Sequence, residues 1–201
     1  MNRSELKSEI SEIMKIFLPA KYYALDFQFI CQLKYNNPVV YRTYQYFFER
    51  IIHSISVSLI LDLCILFNNK EKFSLDRLCN KIMQDYNKSE LNTYLSLDDF
   101  NLLCRPLKAD RINLIFNKIK NTRDEYYAHL DRTRTPFDLI KVSGKEINEL
   151  ISVAEQFLKQ LELTYFGNDV KFDLSDGELG YKFVTHLDEW NKYREKYGLL
   201  Q

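Results

Sequence analysis

The chain has 201 residues, of which 46% are hydrophobic and 14% aromatic, and its 28 basic and 28 acidic side chains leave a formal net charge of zero. A chain of this length and hydrophobic content forms one domain with a substantial core, which excludes wholesale disorder. The balanced charge argues against a protein that wraps long nucleic acid, because phosphate neutralisation needs an excess of basic side chains, although it leaves room for a small basic site.

Five glycines and four prolines predict long helices rather than a sheet with many tight turns. The first helix is expected to begin at Ser4, and Pro19 is expected in the first turn of a second helix that ends near Lys34. A turn at 36–38 precedes a predicted long helix over 39–67. Its second half is apolar on nearly all sides, which is typical of a central helix in a bundle.

The middle of the chain predicts three further helices. Ser74 is a candidate cap for a short helix that ends near Tyr86, and Ser96 opens another helix after a polar segment. A longer helix follows Arg105 and runs to about Leu130. Its apolar residues recur at three, four and seven positions, the period of a half-buried helix. These residues are Ile112, Ile115, Phe116, Ile119 and Tyr126.

The last third of the chain predicts a loop, a helix and a polar tail. Pro136 disfavours helix at the residue before it, so 133–136 is expected to be a loop. Ser143 and Glu146 match a capping box at the start of a helix that ends near Tyr165. Two further predictions are a short strand or extended arm at 169–174 and a final helix at 178–200.

The cysteines and the apolar runs bear on the cellular compartment. Cys31, Cys64, Cys79 and Cys104 are widely separated and form no C-x-x-C pair, so neither a zinc site nor a disulfide framework is predicted. The charged N-terminus is not a secretory signal, and the longest apolar run, 57–67, is too short to span a membrane. These features predict a soluble, cytoplasmic protein without membrane contact.

The segment from Arg105 to Arg134 carries the main chemical clue, because it holds eight Lys or Arg against four Asp or Glu in a neutral chain. Arg123 and His129 stand near its end, six residues apart. At about 100° per residue, they lie roughly 60° on either side of Tyr126. A cation and an imidazole therefore flank the predicted buried seam, whereas a solvated charge more often lies on the opposite face.

The sequence RDEYYAH at 123–129 resembles the signature of HEPN-domain proteins, in which an Arg is followed after four to six residues by a His. In that family the residue after the Arg is commonly Asn, Asp or His, and Ala often precedes the His; Asp124 and Ala128 match both preferences. The helix order resembles the abortive-infection U-type branch, in which a long apolar helix and a short Ser-Leu segment precede the Arg–His helix. The resemblance covers roughly residues 40–165.

The resemblance implies an all-α helical bundle with a HEPN-like core of four to five helices. Combined with the predicted elements, it divides the chain into an N-terminal helical extension (1–37), the HEPN-like bundle (38–166) and a C-terminal extension with a terminal helix (167–201).

The resemblance further implies a metal-independent endoribonuclease without a cofactor, often directed at host RNA during phage infection, and a homodimer whose motif helices line one cleft. RNA supplies its own nucleophile, the 2′-hydroxyl. His129 suits proton transfer near neutral pH, and the planar fork of Arg123 suits phosphate oxygens. Asp124 is a third catalytic candidate, expected either to orient a partner across the dimer or to be solvated.

Three residues are candidate RNA contacts. Tyr126 and Tyr127 offer aromatic faces on which bases stack, and Arg132 adds a cation beside them. For Tyr126, packing in the seam is the competing prediction.

Alternatives remain open for each motif residue. His129 also fits a structural histidine near a helix C-terminus, and Arg123 an ion pair with Asp124 or Glu125. Two hypotheses follow: an RNA-cleaving HEPN homodimer in phage defence or a toxin–antitoxin pair, and a non-catalytic HEPN module that binds a nucleotide or a partner such as an antitoxin. A helical nucleotide pyrophosphohydrolase ranks last, because magnesium needs clustered carboxylates and the sequence has no E-x-x-E array.

Overall fold

The computed structural model describes residues 1–88, 90–128, 142–172 and 192. Within these ranges the chain forms seven α-helices and three short 3-10 helices, and no strand. The predicted all-α fold class is confirmed. The loop expected at 133–136 and the helix expected at 178–200 lie outside the described residues, apart from 192.

The first helix, α1, is a single 34-residue helix over Arg3–Asn36, so the predicted division at Pro19 is wrong. Asn2, rather than Ser4, caps it, with a side chain that accepts from the Glu5 amide. A proline inside a helix removes one hydrogen bond to the carbonyl four residues earlier. Here Phe17 and Ala20 are fully buried on both sides of Pro19, and this continuous packing outweighs the local cost.

The predicted helix over 39–67 is in fact two helices, α2 (Pro38–Thr43) and α3 (Gln45–Phe67), which meet at Tyr44. No glycine or proline marks the break. The rings of Tyr41 and Phe48 stack across it with centroids 5.7 Å apart. Positions seven residues apart on a straight helix are about 10 Å apart. The closer approach of the two rings therefore goes with the break in the helix at Tyr44.

Three of the four remaining helices begin where the sequence predicts, and one begins later than predicted, at Asp110, because a 3-10 helix at Pro106–Lys108 follows Arg105. Ser74 caps α4 (Leu75–Asp85), and Ser96 caps α5 (Leu97–Cys104). The next helix, α6, covers Asp110–Ala128. The last described helix, α7 (Gly144–Phe166), starts with the predicted capping box of Ser143 and Glu146 and ends at Gly167, whose positive φ of 68° closes the helix.

Four helices build the main core: α1 packs against α3 and α7, and α6 packs against the same two helices. Ile112, Ile115 and Ile119 of α6 are buried, which confirms the predicted apolar stripe over this part of the helix. Other core side chains are Ile13, Phe17, Leu59, Leu63, Leu150, Phe157 and Leu161. Because α1 contributes to this core, residues 3–36 pack as part of the bundle, and the exact domain boundaries remain a prediction.

A second, smaller group of buried residues lies where the end of α1 meets α2 and the start of α3. We call it the distal cluster, and its members are Ile30, Leu33, Val40, Tyr41, Phe48 and Ile52. Large apolar side chains on this end of the molecule are exposed, among them Tyr35, Val39 and Tyr46.

After α7, residues 167–172 are neither helical nor paired in a strand. Phe172 packs edge-on against Phe17 of α1, and Lys21 donates to the Phe172 carbonyl oxygen at 2.7 Å. For these residues the extended arm, one of the two alternatives predicted for 169–174, describes the chain, and 173–174 lie outside the described part.

One helix in the described part of the chain, α3, is long and apolar enough to cross a membrane by length and composition alone. This helix is longer than the apolar run at 57–67, which by itself is too short to span a membrane. Its Leu59, Leu63 and Leu66 belong to the main core, as in a core helix of a soluble bundle. Only 33% of its most apolar 18-residue window is buried.

Candidate functional site

The motif helix α6 is held against the bundle by its buried face and by ion pairs to α7. Thr122, directly before the motif arginine, is 1% exposed, and its hydroxyl donates to the Lys118 carbonyl at 2.9 Å. Lys118 in turn pairs with Glu146 in the first turn of α7. The backbone that presents the motif is therefore fixed from two sides.

Arg123 lies on the shoulder of the buried seam, as the helical spacing predicts, and its side chain is 23% exposed. Its Nε and Nη2 both donate to Asp124 Oδ1, at 2.9 and 2.8 Å. The Asp124 side chain is 54% exposed, so the carboxylate faces solvent while it holds the guanidinium. The ion pair that the sequence offered as an alternative for Arg123 is present.

Two residues near Arg123 come from outside the motif helix. The Cys64 thiol of α3 lies within hydrogen-bonding reach of the guanidinium, and Glu71, just beyond α3, adds a negative charge nearby. Hydrogen bonds to Asp124, opposed by burial, raise the pKa of Arg123 above its usual value. The group stays a cation at every pH at which the protein is folded.

Burial raises the pKa of the Cys64 thiol to about 11, although the Arg123 charge opposes the shift. At neutral pH the thiol is therefore protonated, and a nucleophilic role for Cys64 is disfavoured. Cys64 is a core residue, 2% exposed.

The other predicted site residues stand at the end of α6. Tyr126 and Tyr127 lie in the last described turn, where the backbone is helical. His129 and Arg132 lie outside the described residues. Of the predicted site residues, the structure therefore brings Arg123 and Asp124 into contact. The roles of the others stay predictions: His129, Tyr126, Tyr127 and Arg132.

A cleft of about 390 Å³ lies on the same side of α6 as Arg123, closer to the start of the helix. We call it the asparagine cleft, because Asn69, Asn113 and Asn117 line it together with the rings of Phe67 and Phe116. Sequence reasoning missed it. The spacing of Asn113 and Asn117 puts two amides on one helix face, but no local pattern connects them to the loop that carries Asn69.

A larger groove of about 660 Å³ lies between α5 and α7 and is lined mainly by apolar side chains such as Leu102, Leu103 and Phe157. Neither Arg123 nor Asp124 lines it, so it is not the candidate site.

The four cysteines are free, and two of them meet in the core: the Cys79 and Cys104 sulfur atoms are 3.0 Å apart. No sequence pattern indicates this pair, because 25 residues separate the two positions. In the described ranges, no group of three or more His, Cys, Asp or Glu side chains is arranged to hold a metal ion.

Comparison with known families gives one result. The family model for AbiU2, one of the HEPN families, matches residues 4–192. The match extends on both sides of the 40–165 region in which the sequence resembles HEPN proteins. No curated protein and no solved structure matches the chain at a significant level.

Proposed function

Because the chain belongs to the AbiU2 family of HEPN proteins, we propose that it is a metal-independent endoribonuclease that works as a homodimer. Arg123 and His129 are the catalytic residues in this proposal, and Asp124 positions Arg123. Tyr126, Tyr127 and Arg132 contact the RNA. The biological setting is phage defence by abortive infection, or the toxin half of a toxin–antitoxin pair in the cytoplasm.

The reaction needs only proton transfers and charge stabilisation. His129 removes the proton from a ribose 2′-hydroxyl, and the resulting oxygen attacks the adjacent phosphorus. The bond between phosphorus and the 5′-oxygen of the next nucleotide then breaks, and this oxygen takes a proton from water, which produces a 2′,3′-cyclic phosphate and a 5′-hydroxyl. Arg123 stabilises the negative charge that grows on the non-bridging phosphate oxygens.

The environment of Arg123 supports this proposal most directly. The guanidinium is largely shielded from water and is fixed through Nε and Nη2 to one carboxylate oxygen. Such a cation is pre-oriented, and shielding from solvent strengthens its interaction with a phosphate. Asp124 occupies one edge of the fork and leaves N–H groups on the opposite edge for the substrate.

The apolar side chains of α3 support dimer formation, because only 33% of its most apolar window is buried among the described residues and Tyr46 and Phe47 are exposed. A second copy that packs beside α3 brings two motif helices close together, since α6 lies against α3. An antitoxin that binds the same surface would block the dimer and so silence the enzyme.

The test is cleavage of a mixed tRNA and rRNA pool in EDTA by the wild-type protein and by the Arg123→Ala and His129→Ala variants. Wild-type protein is expected to leave cyclic phosphate ends, and each variant to lose at least ~100-fold in rate, the usual contribution of such a group. Arg111→Ala is the matched control, because Arg111 is on the same helix but pairs with Glu149. Equal cleavage by all four proteins would refute the assignment.

The second candidate is a non-catalytic HEPN module that binds a nucleotide or a partner protein. The zero net charge favours it, because a nuclease usually carries a more positive surface. Absence of cleavage by folded, dimeric wild-type protein would select this candidate over the enzyme.

A further inference from the structure

We propose that the asparagine cleft binds an unpaired, amino-bearing base of the RNA, such as adenine, about three nucleotides from the phosphate held by Arg123. The inference rests on the proposed function for the presence of RNA, and it adds a base-selective subsite to that function.

The position of the cleft relative to Arg123 is the first argument. Phe116 lies seven residues before Arg123, which is two helical turns, about 10 Å along the axis and nearly the same face of α6. Both side chains face α3: the Phe116 ring centroid lies 6.5 Å from that of Phe67, and Arg123 adjoins Cys64. Both sites therefore lie where α3 packs against α6, separated along the helix by about three stacked nucleotides at roughly 3.4 Å each.

The shape and polarity of the lining are the second argument. An exposed asparagine is ordinarily hydrated and needs no ligand. Three amides that line one cleft beside two half-buried phenyl rings are a different arrangement, because rings stack on a base while amides pair with its edge. The side chains of Asn69 and Asn117 make no hydrogen bond to other described residues, and Asn113 makes only a long one, 3.4 Å, to the Lys108 carbonyl.

The charges in the lining distinguish a base from a phosphate. Asp76 contributes a carboxylate to the cleft, which repels a phosphate but accepts a hydrogen bond from an exocyclic amino group. Lys108 also lines the cleft and offers its charge to the backbone of the bound strand. The base edge therefore faces Asp76, and the phosphates stay outside.

The carboxylate and amide groups of the lining also determine which bases are expected to bind more tightly. Uracil has no amino group, and its one donor on that edge, N3–H, lies between two carbonyl oxygens that the Asp76 carboxylate repels. Adenine alternates an amino donor with ring-nitrogen acceptors, the pattern that an asparagine amide pairs with through two hydrogen bonds. A preference for adenine over uracil is therefore expected at one position of the bound strand.

The experiment compares binding of 5′-labelled 2′-O-methyl A10 and U10 oligonucleotides to the full chain by fluorescence anisotropy in EDTA. These oligonucleotides lack the 2′-hydroxyl nucleophile, so binding is measured without cleavage. Wild-type protein is expected to bind A10 about 10-fold more tightly than U10, in the range of one good bidentate base contact. The Asn113→Ala/Asn117→Ala double variant is expected to lose this preference to within about 2-fold.

Asn101→Ala is the matched control, because Asn101 is an exposed asparagine on α5 that does not line the cleft. Alanine is a better helix former than asparagine, so circular dichroism is expected to show that the double variant folds. Equal affinity of wild-type protein for A10 and U10 would overturn the inference, as would an unchanged preference in the double variant. Cleavage of the RNA pool without an adenine preference would refute the subsite alone, whereas an adenine preference without cleavage would refute only the nuclease.

Discussion

Tyr165 is a fully buried tyrosine of α7 whose hydroxyl has no hydrogen-bond partner among the described residues. Burial raises the pKa of this phenol to about 12, so the group is neutral at any pH at which the protein is used. A buried hydroxyl without a partner loses its hydrogen bonds to water and gains no hydrogen bond within the protein. At the scale of a single residue, this is the clearest destabilising feature of the core.

Replacing Tyr165 by Phe is expected to raise the free energy of unfolding by about 1 kcal/mol, because the aromatic packing is kept while the unsatisfied group is removed. The melting temperature should rise by roughly 2–4 °C in thermal unfolding monitored by circular dichroism. Tyr22→Phe on the exposed face of α1 is the control and should change little. A lower melting temperature for Tyr165→Phe would show that the hydroxyl has a partner after all.

At the scale of elements, the start of α7 is the best-defined junction. Glu146 Oε2 accepts hydrogen bonds from the Ser143 amide and hydroxyl, each at 2.9 Å, and Oε1 pairs with Lys118 of α6. The hydrogen bond from Lys118, followed by those from Ser143, lowers the pKa of Glu146 to about 2. One carboxylate thus caps α7 and ties it to the motif helix.

The Glu146→Gln variant is expected to unfold with a free energy about 1–3 kcal/mol lower at pH 7, because hydrogen bonds to a charged group are lost. The depressed pKa means that the stabilisation is fully present above about 4.5, the unfolded value, and disappears as the pH falls toward 2. Urea unfolding at pH 7 and pH 3 measures this. Glu149→Gln, whose partner Arg111 is more than half exposed, should cost under about 1 kcal/mol. A difference between Glu146→Gln and wild type that does not shrink at pH 3 would contradict the assignment.

Local sequence predicts the junction at α7 but not the two places where helices differ from expectation. The capping box is readable because Ser143 and Glu146 are three residues apart. The continuity of α1 across Pro19 and the break at Tyr44 depend on packing between helices, which the spacing of hydrophobic residues in the sequence does not encode. In the sequence, a proline predicts the start of a helix, and two aromatic residues seven positions apart predict one continuous helix.

The candidate site divides in the same way. The Arg123–Asp124 pair lies within one helix and follows from the motif. Cys64 and Glu71 lie near Arg123 only because α3 and its following loop pack against α6. The same packing forms the asparagine cleft. Sequence reasoning therefore identifies the family and the motif arginine, while the base-selective subsite needs the fold.

At the scale of the whole molecule, the two hydrophobic clusters differ in size. Among the described residues, the distal cluster has six buried members against 31 in the main core. Its surroundings are exposed, with Tyr35 at 80% and Tyr46 at 71%. A small cluster with little cover opens at a lower free energy than the core, because less apolar area is lost on opening.

Hydrogen exchange at low protein concentration is therefore expected to be faster for amides of α2 and the adjoining ends of α1 and α3 than for amides of α6 and α7. Phe48→Ala removes a 1% exposed ring from the distal cluster and should accelerate exchange only there. Phe157→Ala removes a 2% exposed ring from the main core and should accelerate exchange throughout, because such a change costs about 3–5 kcal/mol of global stability. Equal protection of both regions in wild-type protein would show that the bundle opens as one unit. If a second copy covers the α3 face, the distal amides should gain protection as protein concentration rises, while the amides of α7 keep theirs.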